Sequence, residues 1–187
     1  MRDAYRALVI LHVAVGSVTL LSFWVALAAR KGGALHLAAG RTFAGSMTAT
    51  VATALVAWAA VLAFDPWVIR PPDVALGPVE AAEYVRHIRG LFSGIAAGGL
   101  FGGVALALGL RALRRRRIVQ HVGWILTSGA VAHTAFFVSI LPKLMPAGFD
   151  RDPATNPLPW LISPALGALG VTFACRWARR RAGRLAA

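Results

Sequence analysis

The order of apolar and charged positions divides the chain into long uncharged stretches separated by short charged segments. A helix that crosses a bilayer needs roughly 20 mostly apolar residues, and five stretches meet or approach this length: residues 7–29, 42–64, 91–110, 118–141 and 158–175. None of the five contains Asp, Glu, Lys or Arg. The pattern predicts an all-α fold, a polytopic membrane helical bundle with five transmembrane helices. We expect a four-helix core plus a C-terminal fifth helix, all within a single transmembrane domain of residues 1–187.

Composition agrees with this pattern. Of the 187 residues, 58% are apolar and only 14% are charged, whereas soluble domains carry roughly a quarter charged residues. These values argue against a soluble globular domain, a disordered tail and a secreted disulfide scaffold. The fifth stretch is the shortest and contains Pro164, which predicts a kink in that helix.

The distribution of charge between the stretches predicts the orientation. Segments 30–41, 111–117 and 176–187 hold 13 basic residues and no acid, whereas segments 1–6, 65–90 and 142–157 hold 7 basic residues and all 7 acids. Because basic loops remain in the cytoplasm, the N-terminus is expected outside and the C-terminus inside. The location expected is the cell inner (plasma) membrane, with the chain crossing it several times.

The connections also predict how the helices are arranged. Two inner loops are short and basic, so the first and second helices, and the third and fourth, should form tight antiparallel hairpins. The sequence from Pro78, with Glu80 and Glu83 in its first turns, favours a helix start that extends the third helix outside the membrane. The run of arginines at 114–117 is interpreted as a topology signal or a contact with anionic lipids, and not as a nucleic-acid site.

Histidines are the only basic or acidic residues inside the predicted spans, and such intramembrane groups are functional candidates. His12 lies in the first span, and His121 and His133 lie in the fourth. His12 and His133 differ in depth by only ~4–5 Å at about 1.5 Å per residue. Two imidazoles at similar depth on different helices are what axial ligation of haem iron requires, so we predict these two as iron ligands.

Further positions complete the predicted cofactor site. Gly16 and Gly129 each lie one turn toward the cytoplasm from His12 and His133, where a missing side chain leaves room for a flat macrocycle. His36, in the first basic loop, and His121 form a possible second, inner pair. His87 lies outside the third span and is an alternative outer ligand or substrate contact.

Two other interpretations are open from the sequence. Each histidine can instead be a structural group that donates a hydrogen bond to a carbonyl or to a neighbouring Ser or Thr. The third span has glycines spaced four apart, from Gly90 to Gly102, and such rows permit close contact between helices. This row is interpreted as a packing surface rather than a porphyrin groove.

The motifs also carry a family resemblance. Leu11-His12, Arg30-Lys31-Gly32-Gly33 and Gln120-His121 with Trp124 resemble a bacterial family of predicted membrane proteins with a domain of unknown function, over roughly residues 8–145. The resemblance implies the same membrane fold for the first four helices. More distantly, histidines on a four-helix membrane core resemble the architecture of diheme cytochrome b membrane proteins.

Two functions from different classes follow. The first is a haem b electron-transfer protein that acts with a quinone or a partner subunit. The alternative is a non-catalytic accessory subunit of a larger membrane complex, or a homo-oligomer, in contact with anionic lipids at the cytoplasmic face. The sequence contains no recognisable set of catalytic residues, so no enzymatic activity is assigned.

Overall fold

The fold is described from a computed structural model, which describes residues 2–64 and 77–144 and four isolated positions, 165, 169, 172 and 176. Four helices make up the described ranges: α1 (Arg2–Ala28), α2 (Ala34–Ala63), α3 (Pro78–Arg114) and α4 (Ile118–Leu144). Each of the four is long and apolar enough to cross a membrane, which confirms the first four predicted spans. The predicted fifth span, residues 158–175, lies outside the described ranges.

The helices extend beyond the apolar stretches that predicted them. His36 was expected in a basic loop, but α2 already begins at Ala34 and His36 lies in its first turn. The prediction of a loop position for His36 was wrong because hydropathy marks where the membrane ends, whereas helical hydrogen bonding continues past that boundary.

The third helix begins well before its apolar stretch, at the residue that the sequence predicts. Its 37 residues correspond to about 55 Å, against a hydrocarbon thickness of about 30 Å. The carboxylate of Glu80 accepts a hydrogen bond from the backbone N–H of Gly77 over 2.9 Å. This contact satisfies one of the donors exposed at the start of a helix, so α3 begins where its acidic first turn predicts.

Residues 1–97 form one compact unit, which contains α1, α2 and the first part of α3. Here α1 and α2 lie antiparallel, with the rings of Phe23 and Phe43 packed 5.5 Å apart between centroids. Phe43, Met47 and Val61 on α2 are almost fully buried. Near the other end of α2, the indole N–H of Trp58 donates to the hydroxyl of Ser93 on α3 over 3.0 Å.

Residues 98–187 form the second unit, which contains the rest of α3 and α4. The buried positions of its α3 segment include small residues, with Ala105 fully buried and Gly109 also buried. A Cβ atom placed on Gly109 would lie 2.9 Å from Cδ1 of Ile125 and 3.3 Å from Cβ of Trp124. Glycine at this position therefore permits the close approach of α3 and α4.

The short turn between α1 and α2 joins two antiparallel helices, which confirms the first predicted hairpin. Beside the turn between α3 and α4, His121 and Ile125 of α4 lie next to Gly109 of α3. In the first turn, Gly32 takes the left-handed conformation at φ 79°. The ammonium of Lys31 donates to the carbonyls of Ala26, over 3.0 Å, and Leu27, which closes the end of α1. Burial in this position lowers the pKa of Lys31.

Candidate functional site

His12 is held in one orientation by a threonine of the neighbouring helix. Its Nδ1 lies 2.9 Å from the hydroxyl oxygen of Thr53. That hydroxyl has a single proton and lies 2.9 Å from the carbonyl of Ala49 and 3.0 Å from that of Thr50, so it donates into its own helix. The oxygen then accepts from Nδ1–H, which leaves the lone pair of the neutral His12 ring on Nε2.

His133 is anchored within its own helix. Its Nδ1 lies 2.6 Å from the carbonyl oxygen of Gly129, one turn earlier in α4. Because a carbonyl can only accept a hydrogen bond, the proton is on Nδ1 here too. Gly129 is buried, and its role in the described structure is to supply this acceptor.

His36 and His121 share a further arrangement. Each lies in the first turns of the second helix of a hairpin and reaches back to the helix before it. Nδ1 of His36 lies 2.9 Å from the carbonyl of Ala26, and Nδ1 of His121 lies 2.9 Å from the carbonyl of Gly109. The carbonyl of Ala26, near the end of α1, thus accepts from both His36 and the ammonium of Lys31. The two hairpins therefore have a similar histidine contact beside the turn.

The described geometry separates histidines that belong to the same hairpin. His12 and Ala26, the residue that His36 contacts, are roughly 21 Å apart along α1 at about 1.5 Å per residue. His121 and His133 are roughly 18 Å apart along α4 by the same rise. The predicted ligand pairs, His12 with His133 and His36 with His121, each take one histidine from each unit, and these pairings stay predictions.

Other predicted site positions have specific surroundings. A Cβ atom on Gly16 would lie 3.9 Å from Cγ2 of Thr50, so Gly16 faces α2. His87 is half-buried in the N-terminal part of α3. Within residues 2–64 and 77–144, no group of three or more His, Cys, Asp or Glu side chains is arranged to hold a metal ion.

Sequence reasoning missed the row of hydroxyl groups on α2 that provides the partner of His12. Besides Thr53, the hydroxyls of Thr19 and Thr50 lie 3.1 Å apart across the α1–α2 interface. A signal for this polar row was present in the sequence, since Ser46, Thr50 and Thr53 recur at helical spacing on one face of α2. Only the pairing of α2 with α1 shows that this face meets His12.

The chain was also compared with known proteins. No protein-family model matches it, and no curated protein or solved structure matches it either. The resemblance to the bacterial membrane family and to diheme cytochromes therefore stays a prediction.

Proposed function

We propose that this chain is a b-type haem-binding protein of the plasma membrane that transfers electrons with a quinone or a partner subunit. The observation that supports the proposal is the position of the ring proton on the two predicted ligands. His12 and His133 each place the Nδ1 proton on a fixed oxygen. Histidines that bind metals through Nε2 are generally anchored in this way, which sets both the tautomer and the direction of the ring.

The donor set fits haem better than it fits a free metal ion. Axial ligation needs only neutral imidazoles on the two sides of the iron, whereas a closed site for zinc or another divalent ion needs four ligands or so. Haem, when bound, supplies the exchange of a single electron. The contribution of this chain is to orient the imidazole of His12 through the hydroxyl of Thr53.

The remaining predicted residues would bind a second haem or leave room for a macrocycle. His36 and His121 are anchored through Nδ1 in the same manner and are the candidates for a second, inner haem. Gly129 would let a macrocycle approach the backbone of α4, whereas Gly16 packs against Thr50 of α2.

Absorption spectroscopy of the purified protein, expressed with haem supplied, tests the proposal. We expect a Soret band that shifts on reduction with dithionite. His12→Ala and His133→Ala should each lose haem or convert it to the high-spin form, because each removes an axial ligand. With the outer haem alone, His36→Ala and His87→Ala should leave that spectrum nearly unchanged. Loss of signal in His121→Ala would indicate an inner haem held with His36.

A variant next to the ligand separates ligation from packing. Thr53→Val removes the acceptor of His12 Nδ1–H but keeps the ligand, so we expect haem to remain bound with a shifted reduction potential. The matched control is Thr48→Val, since Thr48 is exposed on the same helix and bonds only to the carbonyl of Ala44. Absence of a Soret band in the wild type, or wild-type haem binding by both histidine variants, would refute the proposal.

A second candidate function is that of an accessory subunit in a larger membrane complex. It is favoured by the row of glycines on α3, because a Cβ atom at Gly90, Gly98 or Gly99 would meet no described atom within 4 Å. An open row of small residues suits the approach of a helix from another chain. Purification from native membranes distinguishes the two functions, since a stoichiometric partner with no cofactor in this chain favours the subunit.

A further inference from the structure

The turn between α3 and α4 presents a concentrated positive surface. We call residues 111–117 the arginine turn; its basic residues are Arg111, Arg114, Arg115, Arg116 and Arg117. All five side chains are exposed, and in the described part of the chain no carboxylate pairs with them. The turn directly follows the uncharged stretch that ends at residue 110, which puts the guanidinium groups at the edge of the apolar region.

At one position of the arginine turn, Arg116, the backbone takes a conformation that favours glycine. The N–H of Arg117 bonds to the carbonyl of Ala112, and the N–H of Arg116 bonds to that of Leu113, both over 2.9 Å. These two bonds define a Schellman motif, whose left-handed position is usually glycine. Arg116 occupies that position with φ 56°, whereas the α1–α2 turn has Gly32 at its left-handed position.

An arginine that serves only to determine the membrane topology does not have to occupy the left-handed position. The positive-inside effect depends on the number of basic residues near the end of a span, so any neighbouring position would serve. An arginine at this strained position indicates that the guanidinium group is needed at this point of the turn, for binding rather than for charge alone. Guanidinium groups bind phosphate through two parallel N–H donors, and several of them side by side suit a surface of phosphates.

We propose that the arginine turn binds the phosphate groups of anionic phospholipids in the leaflet that it faces. The partner is a lipid headgroup and not free phosphate, because the adjacent helices keep the turn at the depth of the headgroups. Several arginines close together also suit the negative potential of a cytoplasmic leaflet. The proposal is independent of haem binding.

Native mass spectrometry of the full-length protein in neutral detergent tests this proposal. The protein is titrated with phosphatidylglycerol and, separately, with phosphatidylcholine of the same acyl chains. We expect Arg116→Gly to weaken phosphatidylglycerol binding roughly five-fold, the effect of one basic residue near an anionic surface, and to leave phosphatidylcholine binding unchanged. Its Tm in lipid-free detergent should equal or exceed that of the wild type, because glycine relieves the strain at this position.

Controls separate the alternatives. Arg86→Gln removes one exposed charge from the outer part of α3 and should retain wild-type preference for phosphatidylglycerol. Inorganic phosphate should not displace the lipid. If Arg116→Gly fails to fold, Arg116→Asn replaces it, since asparagine tolerates the left-handed conformation. Three results would overturn the proposal. Unchanged lipid preference in the glycine or asparagine variant would leave a topology signal. Displacement of the lipid by phosphate would indicate a phosphate site, and displacement by an oligonucleotide would indicate a nucleic-acid surface.

Discussion

Single hydroxyl groups connect α1 and α2 in a part of the chain where apolar contact alone favours association only weakly. Lipid tails are as apolar as the side chains, so helices in a membrane associate through packing and hydrogen bonds. Thr19 is 1% exposed, and its hydroxyl meets that of Thr50 at 3.1 Å. The hydroxyls of both residues can also donate to carbonyls of their own helices, so neither is without a partner if the other is removed.

We expect Thr50→Val to lower the free energy of unfolding by about 0.6 kcal/mol and by no more than about 1.7 kcal/mol, the range of hydrogen bonds between membrane helices. The loss is modest because Thr19 keeps its bond to Val15. Unfolding by a denaturing detergent in mixed micelles measures it. Thr48→Val is the control, since that side chain is exposed and contacts no other helix through its hydroxyl in the described structure. Equal effects of the two variants would mean that the contact between Thr19 and Thr50 contributes nothing.

At the scale of the helix, two glycines on α3 have opposite surroundings. A Cβ atom at Gly109 would approach Ile125 and Trp124 closely, but one at Gly98 would meet no described atom within 4 Å. Periodicity in the sequence drew attention to the row from Gly90 to Gly102, whereas the tight contact within the α3–α4 hairpin is at Gly109. Spacing identifies candidate small-residue faces, and only the rotation of the helix decides which glycine meets its neighbour.

Gly109→Ala and Gly98→Ala form a matched pair that tests this difference. Gly109→Ala should lower the free energy of unfolding by about 1–3 kcal/mol, the usual effect of overpacking, because the Cβ of Trp124 is fixed to the backbone of α4. Gly98→Ala should raise it by up to about 1 kcal/mol through better helix propensity. Denaturant titration of the purified variants measures both. A stabilising Gly109→Ala would contradict the close approach described above.

The helix ends show a second limit of the sequence. The predicted spans identify α1 to α4 correctly, but α2 begins at Ala34, eight positions before the apolar stretch that predicted it. The start of α3 was predicted correctly because it depends on local chemistry, namely an acidic first turn that bonds to Gly77. A helix end marked by a side-chain cap, such as the start of α3, is readable from sequence, whereas the start of α2, which has no side-chain cap bond, is not.

At the scale of the whole molecule, the asymmetry of charge predicts an orientation that labelling can test. Cys175 is the single cysteine, so Cys175→Ser gives a background without thiols. In that background, Ala82→Cys on the outer part of α3 should react in intact cells with a maleimide that does not cross membranes. Ala34→Cys beside the α1–α2 turn should react only after permeabilisation, because basic segments remain in the cytoplasm. Both positions are exposed; the reverse pattern would show that the orientation is inverted.

The sequence alone predicted the four described helices that are long and apolar enough to cross a membrane. In lipid, every backbone polar group must be bonded within its own segment, so an uncharged stretch of sufficient length has to become a helix. The sequence also identified the histidines, since few other side chains in the spans can ionise. The tertiary structure decided what each histidine contacts: Thr53 for His12, Gly129 for His133, and the preceding helix for His36 and His121. Those contacts depend on the rotation and register of packed helices, which the hydropathy of a single chain does not encode.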